Sequence, residues 1–313
     1  MSQEFRHVPV LLDEVLELFD AVPEGLVLDA TVGGGGHAAA ILERRPELQL
    51  LGIDRDPEAV VAATSRLAPF GARAKVVHAR FDELAALVAE AGAPLVGALF
   101  DLGVSSFQLD AAHRGFSYRN PGPLDMRMDP SRGHGAAELV NGADEETLVD
   151  LFEAHGEERF ARRIARAVIA ARPLDSTDEL AAVVEKAIPA AARRRGHPAR
   201  RVFQALRVAV NEELDLLAPA LEAAIAALVP GGRLVVLAYH SGEDQLVKRT
   251  LAGAASGGCV CPPGLDCVCG AVPTIRLLNR GARLSGKAEI ERNPRAEAAR
   301  LRAAERLPAP DPH

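Results

Sequence analysis

The stretch "LVLDATVGGGGHAAAILE", residues 26 to 43, decides the fold. An apolar run ends at Asp29, four glycines follow, and a segment with helical spacing begins at once. A glycine-rich turn between a strand and a helix lets a ligand approach the backbone, where the helix N-terminus offers N–H groups. The stretch therefore predicts a ligand-binding turn at the end of a first strand.

Short apolar runs elsewhere predict further strands, and segments with helical spacing separate most of them. The predicted strands are 26–30, 50–54, 74–79, 95–101 and 230–240. Alternating strands and helices are typical of a parallel sheet, and nearly continuous apolar strands indicate that helices cover both of its faces. The sequence thus predicts an α/β fold.

The alternation stops near residue 110. "RGFSYRNPGPLDMRMDPSRGHG" (114–135) is dense in glycine, proline and charged residues, and a run of helices follows it. We predict a discontinuous core of residues 1–110 and 215–313, with a mostly helical insert of residues 111–214. Helical spacing also predicts a last helix in "NPRAEAARLRAAERL" (293–307).

Length and composition limit the class of protein. The 313 residues suit two domains or one domain with a large insert. The first ten residues lack the apolar core of a secretory signal, and no run of about 18 apolar residues predicts a membrane span. We expect a cytoplasmic protein that does not enter the membrane.

Positive charge is concentrated locally, although the net charge is -7. Residues 159 to 207 contain 12 Lys and Arg against 4 Asp and Glu, and residues 276 to 306 contain 9 against 4. Arg162 and Arg166 fall on one face of an amphipathic helix. Such a face suits either nucleic acid or plain solvent exposure, and both interpretations stay open here.

The glycine turn is compatible with several cofactors. Gly33, Gly35 and Ala38 satisfy the dinucleotide fingerprint, which is a weak signal within four consecutive glycines. Asp54 ends the second predicted strand and can accept hydrogen bonds from both hydroxyls of a ribose. Nicotinamide, flavin and S-adenosylmethionine cofactors all carry such a ribose. His37 could bind a carboxylate or phosphate, or could serve the helix start.

Polar residues also follow the fourth predicted strand, in "DLGVSSFQLD" (101–110). Asp101 lies where the carboxyl edge of the sheet opens into a ligand crevice. There it can accept a hydrogen bond from a substrate amine or serve the cofactor, and Gln108 could reach the same pocket. These features leave two functions open that differ in class, a nicotinamide-dependent oxidoreductase and a non-catalytic RNA-binding protein.

All four cysteines lie in "CVCPPGLDCVC". Cys259, Cys261, Cys267 and Cys269 form two C-x-C pairs, and four thiolates can hold Zn²⁺ tetrahedrally. Disulfides are less common in the cytoplasm. The spacing therefore predicts a structural zinc site, although C-x-C is tighter than the usual C-x-x-C pair.

Several motifs along the whole chain resemble one family, the bacterial 16S ribosomal RNA cytosine-N4 methyltransferases, also called the RsmH or MraW family. The motifs are "HVPVLLDEVL" (7–16), "DATVGGGGHAAAIL" (29–42), "GIDRDPEAV" (52–60), "DLGVSSFQLD" (101–110), "RGFSY" (114–118), "GPLDMRMDP" (122–130), "GEERFARRIARAV" (156–168), "VFQALRVAVNEEL" (202–214) and "NPRAEAARLRAAER" (293–306). "DLGVSSFQLD" and "GPLDMRMDP" are far more specific than the glycines.

The resemblance implies methyl transfer from S-adenosylmethionine to N4 of a cytidine in the decoding centre of the small ribosomal subunit. It also implies a Rossmann-like class I methyltransferase core with an RNA-recognition insert. Whether the protein is a monomer or a homodimer stays open. Carried over by motif, the cofactor residues are Gly35, Gly36, His37, Asp54, Phe81, Asp101 and Gln108.

The chemistry needs a carboxylate or carbonyl near N4 to accept a hydrogen bond and then the proton. Asp101 and Asp125 are the catalytic candidates. The basic segments suit contacts with the phosphates of 16S ribosomal RNA. The candidate RNA-binding residues are Arg162, Arg166, Arg194 and Arg200. One departure from the family pattern is Gly242 in "YHSGED" (239–244), where the family has a bulky apolar residue.

Overall fold

The computed structural model describes residues 9–156, 159–190, 197–262 and 268–309. The chain forms two compact units, the first of Met1–Gly103 with Leu214–His313 and the second of Val104–Glu213. The division thus falls at 103/104 and 213/214, where the sequence analysis placed it at 110/111 and 214/215. One consequence is that Gln108 belongs to the second unit.

A mostly parallel sheet forms the centre of the first unit. Its described strands are β1 (Leu26–Asp29), β2 (Gln49–Asp54), β3 (Ala74–His78), β4 (Leu95–Asp101), β5 (Leu228–Ala238), β6 (Ile275–Leu277), β7 (Arg283–Leu284) and β8 (Arg300–Arg306). The order is β3-β2-β1-β4-β5-β8-β6, with β7 also paired to β8. β1 to β5 are parallel and β8 runs antiparallel to β5. The predicted α/β, Rossmann-like fold class is confirmed.

Helices accompany the sheet in the first unit and make up most of the second. Those of the first unit are α1 (Leu12–Phe19), α2 (Gly36–Arg44), α3 (Pro57–Leu67), α4 (Leu84–Ala91), α11 (Glu213–Ala227, whose first residue ends the second unit), α12 (Ser241–Ser256) and α13 (Lys287–Arg292). Those of the second are α5 (Ser106–Asp110), α6 (Ala136–Gly142), α7 (Glu145–Gly156), α8 (Ala161–Ala171), α9 (Thr177–Ala187) and α10 (Ala199–Val210). Across the described residues, no helix has the length and hydrophobicity needed to cross a bilayer.

Alternate residues of each central strand pack into different clusters, which explains the apolar strand sequences. Val27 joins a cluster with Phe19 of α1, whereas its neighbour Leu28 joins a cluster with Leu221 of α11. Both residues are fully buried. The first unit therefore covers both faces of its sheet, as the strand composition predicts.

The helix predicted at 293–307 is wrong. Only a short 3₁₀ turn forms at Pro294–Ala298, and the rest of the segment is β8. Leu301 and Ala303 are buried in the cluster that contains Val235 and Leu237 of β5. Pairing with β5 and burial of these alternate side chains override the helix propensity of a segment rich in Ala, Arg and Glu.

The amphipathic character predicted for the arginine-rich segment is confirmed in α8. Its buried residues include Ile164, Ala165 and Val168, while Arg162 and Arg166 are exposed. α9 begins with a capping box, in which Ser176 and Glu179 exchange hydrogen bonds with each other's backbone. The second unit thus has an apolar core of its own beneath a basic surface.

Asn211 holds the loop of "GPLDMRMDP" against the helices of the second unit. Its side chain is buried, its Oδ1 accepts from the N–H of Met128 at 2.8 Å, and its Nδ2 donates to the carbonyl of Met126 at 2.7 Å. The same Nδ2 donates to the carbonyl of Arg207 at 2.9 Å. One amide therefore satisfies two buried backbone groups, of Met128 and Met126, and adds a second bond to the carbonyl of Arg207, which also accepts from the backbone N–H of Asn211.

We expect Asn211→Ala to lower the free energy of unfolding by about 2 kcal/mol or more, because it leaves buried backbone groups unsatisfied. Urea denaturation of the full chain, followed by circular dichroism, measures the change. Asn120→Ala is the matched control, because the one bond from its side chain to the described residues is a long one, of 3.4 Å to the carbonyl of Leu109. Equal losses in the two variants would contradict the role of Asn211.

Candidate active site

The glycine turn connects β1 to α2 through two residues with left-handed backbone. Gly33 has φ of 50° and Gly35 has φ of 74°, a conformation that favours glycine. Gly35 directly precedes α2, whose N-terminus no described side chain caps. The first N–H groups of α2 are therefore directed toward the carboxyl edge of the sheet, as required of a ligand-binding turn.

Asp54 ends β2 beside this turn. Its Oδ2 accepts from the N–H of Gly33 at 2.9 Å, and its Oδ1 accepts from the N–H of Asp56 at 2.9 Å. Burial raises the pKa of Asp54 to about 6, although the two N–H groups act in the opposite direction. The carboxylate is thus held in one orientation by backbone and is ionised at neutral pH.

Asp101 ends β4 and contacts three side chains of the first unit. The hydroxyl of Tyr239 donates to its Oδ1 at 2.7 Å, and Nδ1 of His37 lies 3.5 Å from its Oδ2. Its backbone N–H donates to Oγ1 of Thr31 at 2.6 Å. Burial and the adjacent Asp101 raise the pKa of Tyr239 well above its usual value, so the phenol keeps the proton that it donates.

His37 lies in the first turn of α2 and is 5% exposed. Its Nε2 lies 3.0 Å from the carbonyl oxygen of Val10. Because a carbonyl oxygen only accepts, Nε2 must carry a hydrogen, and this bond fixes the ring with Nδ1 toward Asp101. The structure therefore places His37 beside Asp101, in contact with its Oδ2, rather than leaving it as a simple helix-capping residue.

Asp29, at the end of β1, brings a third carboxyl group to this edge of the sheet. It is 2% exposed and accepts from the N–H of Thr31 at 3.2 Å. Burial, with a smaller contribution from the charges of Asp101 and Asp54, raises the pKa of Asp29 to about 8 against the Thr31 hydrogen bond. At neutral pH Asp29 is therefore mostly protonated and adds a buried carboxyl group, rather than a negative charge, to this edge of the sheet.

Phe81 lies just beyond β3, in a 3₁₀ turn of Phe81–Glu83. Its ring packs edge-to-face on Phe100 of β4, with ring centroids 5.6 Å apart. Phe81 remains partly exposed, so it adds a flat apolar surface to the first unit. Such a surface suits the adenine contact that the family resemblance implies.

Gln108 lies in α5 of the second unit and is 5% exposed. Its Oε1 accepts from the N–H of Ser105 at 2.9 Å, and its own N–H donates to the hydroxyl of Ser105 at 3.2 Å. The side-chain oxygen therefore caps a helix. A cofactor contact by Gln108 stays a prediction.

Asp125 also lies in the second unit, where Arg127 engages both of its oxygens. Nε and Nη2 of Arg127 donate to Oδ1 and Oδ2 at 2.9 and 2.8 Å. Partial burial favours the neutral acid, but the hydrogen bonds from Arg127 outweigh it and lower the pKa of Asp125. A carboxylate held in this way is a weak proton acceptor, and the catalytic role of Asp125 stays a prediction.

The candidate RNA-binding arginines differ in their surroundings. Arg162 and Arg166 share Glu145, with N···O distances of 3.7 and 2.9 Å, and both side chains are more than half exposed. Arg200 is exposed on α10. Arg194 lies outside the described residues. Exposed ion pairs are weak, so phosphates can compete for α8.

Three cysteines of the predicted zinc site come together in the first unit. The sulfur atoms of Cys259, Cys261 and Cys269 lie within 4.8 Å of one another, and those of Cys259 and Cys269 are 3.6 Å apart. N–H hydrogen bonds from Val268 and Cys269 lower the pKa of Cys261. Cys267 lies outside the described residues.

The sequence analysis missed the contributions of Tyr239 and Thr31. Tyr239 stands in the "YHSGED" turn, where the sequence analysis singled out only Gly242. The usable signal was its position, because β5 is the next parallel strand after β4 and its carboxyl end must adjoin Asp101. Thr31 gave a similar signal by its position, because it lies two residues beyond Asp29, where β1 ends at the same edge of the sheet.

A family model described as the MraW methylase family matches residues 4–307. The chain belongs to the MraW methylase family. It is similar to the Ribosomal RNA small subunit methyltransferase H of Heliobacterium modesticaldum, with 48% identity over 97% of this chain and 99% of that protein. The enzyme of the same name from Pseudarthrobacter chlorophenolicus is 49% identical over 97% and 96%.

A weaker likeness is found among solved structures. An rRNA methylase from Streptococcus thermophilus has a TM-score of 0.41 and 13% identity, covering 95% of each chain. The predicted family is confirmed by the family match and by the two relatives, and the enzyme class is that of a methylase.

We expect Asp29→Asn to stabilise the first unit increasingly as pH rises. The raised pKa of Asp29 means that folded wild type keeps a proton that the unfolded chain releases. The stabilisation that wild type gains from this proton is complete below pH 3.8 and is lost as the pH rises toward about 8. The difference between variant and wild type should grow by up to about 1.4 kcal/mol per pH unit in that window.

Urea denaturation at several pH values between these limits measures the effect. Asp150→Asn, which removes an exposed carboxylate of α7, controls for net charge. If the free energy of unfolding changes with pH equally in Asp29→Asn and in wild type, Asp29 does not keep a proton in the folded protein.

Proposed function

We propose that this chain transfers a methyl group from S-adenosylmethionine to N4 of a cytidine in the 16S RNA of the small ribosomal subunit, in the cytoplasm. The proposal rests on membership of the MraW methylase family and on the names of the relatives. The observation that carries it is the pair of oriented carboxylates, Asp54 and Asp101, on either side of the glycine turn.

The residues at the strand ends fit S-adenosylmethionine, which combines a sulfonium cation with a ribose and an adenine. Asp54 would accept from the ribose hydroxyls, and Phe81 would lie against the adenine. The backbone of Gly35 and Gly36 would face the methionine portion, with His37 beside Asp101 at the same edge of the sheet. The cofactor supplies an activated methyl group when bound.

The same charges argue against a nicotinamide cofactor. A dinucleotide would place an anionic pyrophosphate at the glycine turn, close to Asp29, Asp54 and Asp101. The raised pKa values of Asp29 and Asp54 reflect a site where further negative charge is unfavourable. A purely RNA-binding protein would have no use for these oriented carboxylates.

Among the two catalytic candidates, Asp101 is favoured as the group that accepts the hydrogen bond from the cytidine amine. It is partly exposed at the crevice, and Tyr239 and Thr31 hold it in place. Methyl transfer needs alignment of the amine more than acid–base power, because the donor is already activated. Asp125, bound on both oxygens by Arg127, is better suited to ordering its loop.

Transfer of labelled methyl groups to small subunits from a strain lacking the enzyme tests the proposal. The modified nucleotide, mapped by mass spectrometry, should be a cytidine methylated at N4. Asp101→Asn should lower the transfer rate by about 10²-fold or more, whereas Asp125→Asn should have a smaller effect. Transfer to another atom or no transfer by the wild type would refute the proposed reaction.

The arginine face of α8 is proposed to contact RNA phosphates. The double variant Arg162→Glu, Arg166→Glu should weaken RNA binding by at least about tenfold, because phosphate contacts are replaced by repulsion. Calorimetry with S-adenosylhomocysteine should show unchanged cofactor binding. Lys248→Glu with Arg249→Glu, exposed on α12, is the matched control. Equal RNA affinity for the α8 variant and wild type would refute this contact.

We also propose that the cysteine cluster holds a structural Zn²⁺. With Zn–S bonds of about 2.3 Å, tetrahedral geometry places the sulfur atoms about 3.8 Å apart. The 3.6 Å between Cys259 and Cys269 is close to that spacing and far from a disulfide bond. N–H groups directed at Cys261 favour a thiolate there, which is the form that binds metal.

Elemental analysis of the purified chain should find about one zinc per protein, and Cys259→Ser with Cys269→Ser should lose it. The double variant should also unfold at lower temperature, because metal binding stabilises the folded loop. Wild-type protein with less than roughly a tenth of an equivalent of zinc would contradict the site.

A further inference from the structure

Two aromatic rings stack at the surface of the second unit, at Tyr118 and His197. Their centroids are 4.5 Å apart and their planes are 21° from parallel. Phe203, buried in the core of the unit, meets the Tyr118 ring edge-on at 5.8 Å. Tyr118 is thus anchored from below, while His197 is exposed above it.

The imidazole of His197 is held in place at the start of α10. Its Nδ1 accepts from the backbone N–H of Ala199 at 3.2 Å, since a backbone N–H can only donate. Contact with Tyr118 fixes the plane of the same ring. His197 therefore presents a rigid planar face to solvent, with little side-chain entropy left to lose on binding.

Positive charge surrounds this stack. The guanidinium of Arg119 lies 5.6 Å from the centre of the Tyr118 ring, and the N–H of Arg200 donates to the carbonyl of His197. Both arginines are exposed, and neither has a carboxylate partner among the residues that the structure describes. They differ in this from Arg162 and Arg166, which share Glu145.

An exposed planar ring between two exposed arginines suits the binding of unpaired RNA. Bases stack on aromatic faces, and arginines hold the phosphates on either side. We propose that the exposed face of His197, supported by Tyr118, binds one unpaired RNA base by stacking, with Arg119 and Arg200 contacting the adjacent phosphates. This inference rests on the proposed action on RNA and identifies where the insert binds it.

Fluorescence anisotropy tests this stacking platform, which consists of His197 and Tyr118. It measures binding of a fluorescein-labelled single-stranded RNA dodecamer to the full chain. His197→Ala should weaken binding about tenfold, because it removes the stacking surface. His197→Phe keeps a planar ring and should stay within about twofold of wild type. His134→Ala, which removes a histidine that is 88% exposed in the same unit, is the matched control.

Salt dependence separates stacking from charge. The slope of log affinity against log salt should be unchanged in His197→Ala and should fall by about one in Arg200→Ala, which loses a phosphate contact. Circular dichroism confirms that each variant is folded. Unchanged binding by His197→Ala, equal losses in His197→Ala and His197→Phe, or no RNA binding by the wild type would overturn the platform.

Methyl transfer to small subunits distinguishes this inference from the proposed function. If wild type and His197→Ala both methylate subunits and bind RNA equally, the platform is wrong and the function stands. If the wild type transfers no methyl group, the proposed reaction fails, while the binding measurements still decide whether His197 stacks on a base.

Discussion

The parallel pairing of β1 with both β2 and β4 is the constraint on which the candidate site depends. Asp29 aligns with Gly52 of β2 and with Leu99 of β4, so the three strands end side by side. The chain order reverses on the two sides of β1, which opens a crevice at the carboxyl edge of the sheet. A register slip of one residue would turn Asp54 or Asp101 to the other face.

This arrangement concentrates carboxyl groups that repel one another. Burial is the main cause of the raised pKa values, about 8 for Asp29 and about 6 for Asp54, and the charges of Asp101 and Asp54 add to the rise at Asp29. Removal of these carboxyl groups from water therefore makes their ionisation costly in the folded protein. Groups placed for function often lower stability in this way.

The central strands could be predicted because their sequences reflect burial on both faces. β4 begins and ends where the apolar run "LVGALFD" does, and β1, β2 and β3 differ from their predicted bounds by one residue at most. β8 could not be predicted from its own residues. Its Ala, Arg and Glu favour a helix locally, and only the unpaired edge of β5, contributed by a distant segment, makes it a strand.

In the turn after β5, the sequence motif identifies the residues but does not show which groups they bond. His240 folds over the start of α12 and accepts from the N–H of Glu243, and a Cβ on Gly242 would lie 3.2 Å from its ring. The glycine at position 242 therefore leaves room for the imidazole of His240. Tyr239 bonds Asp101 across 138 positions of sequence, a pairing created only by the adjacency of β4 and β5. The departure from the family pattern at Gly242 therefore changes the packing around His240, whereas the neighbouring Tyr239 holds Asp101.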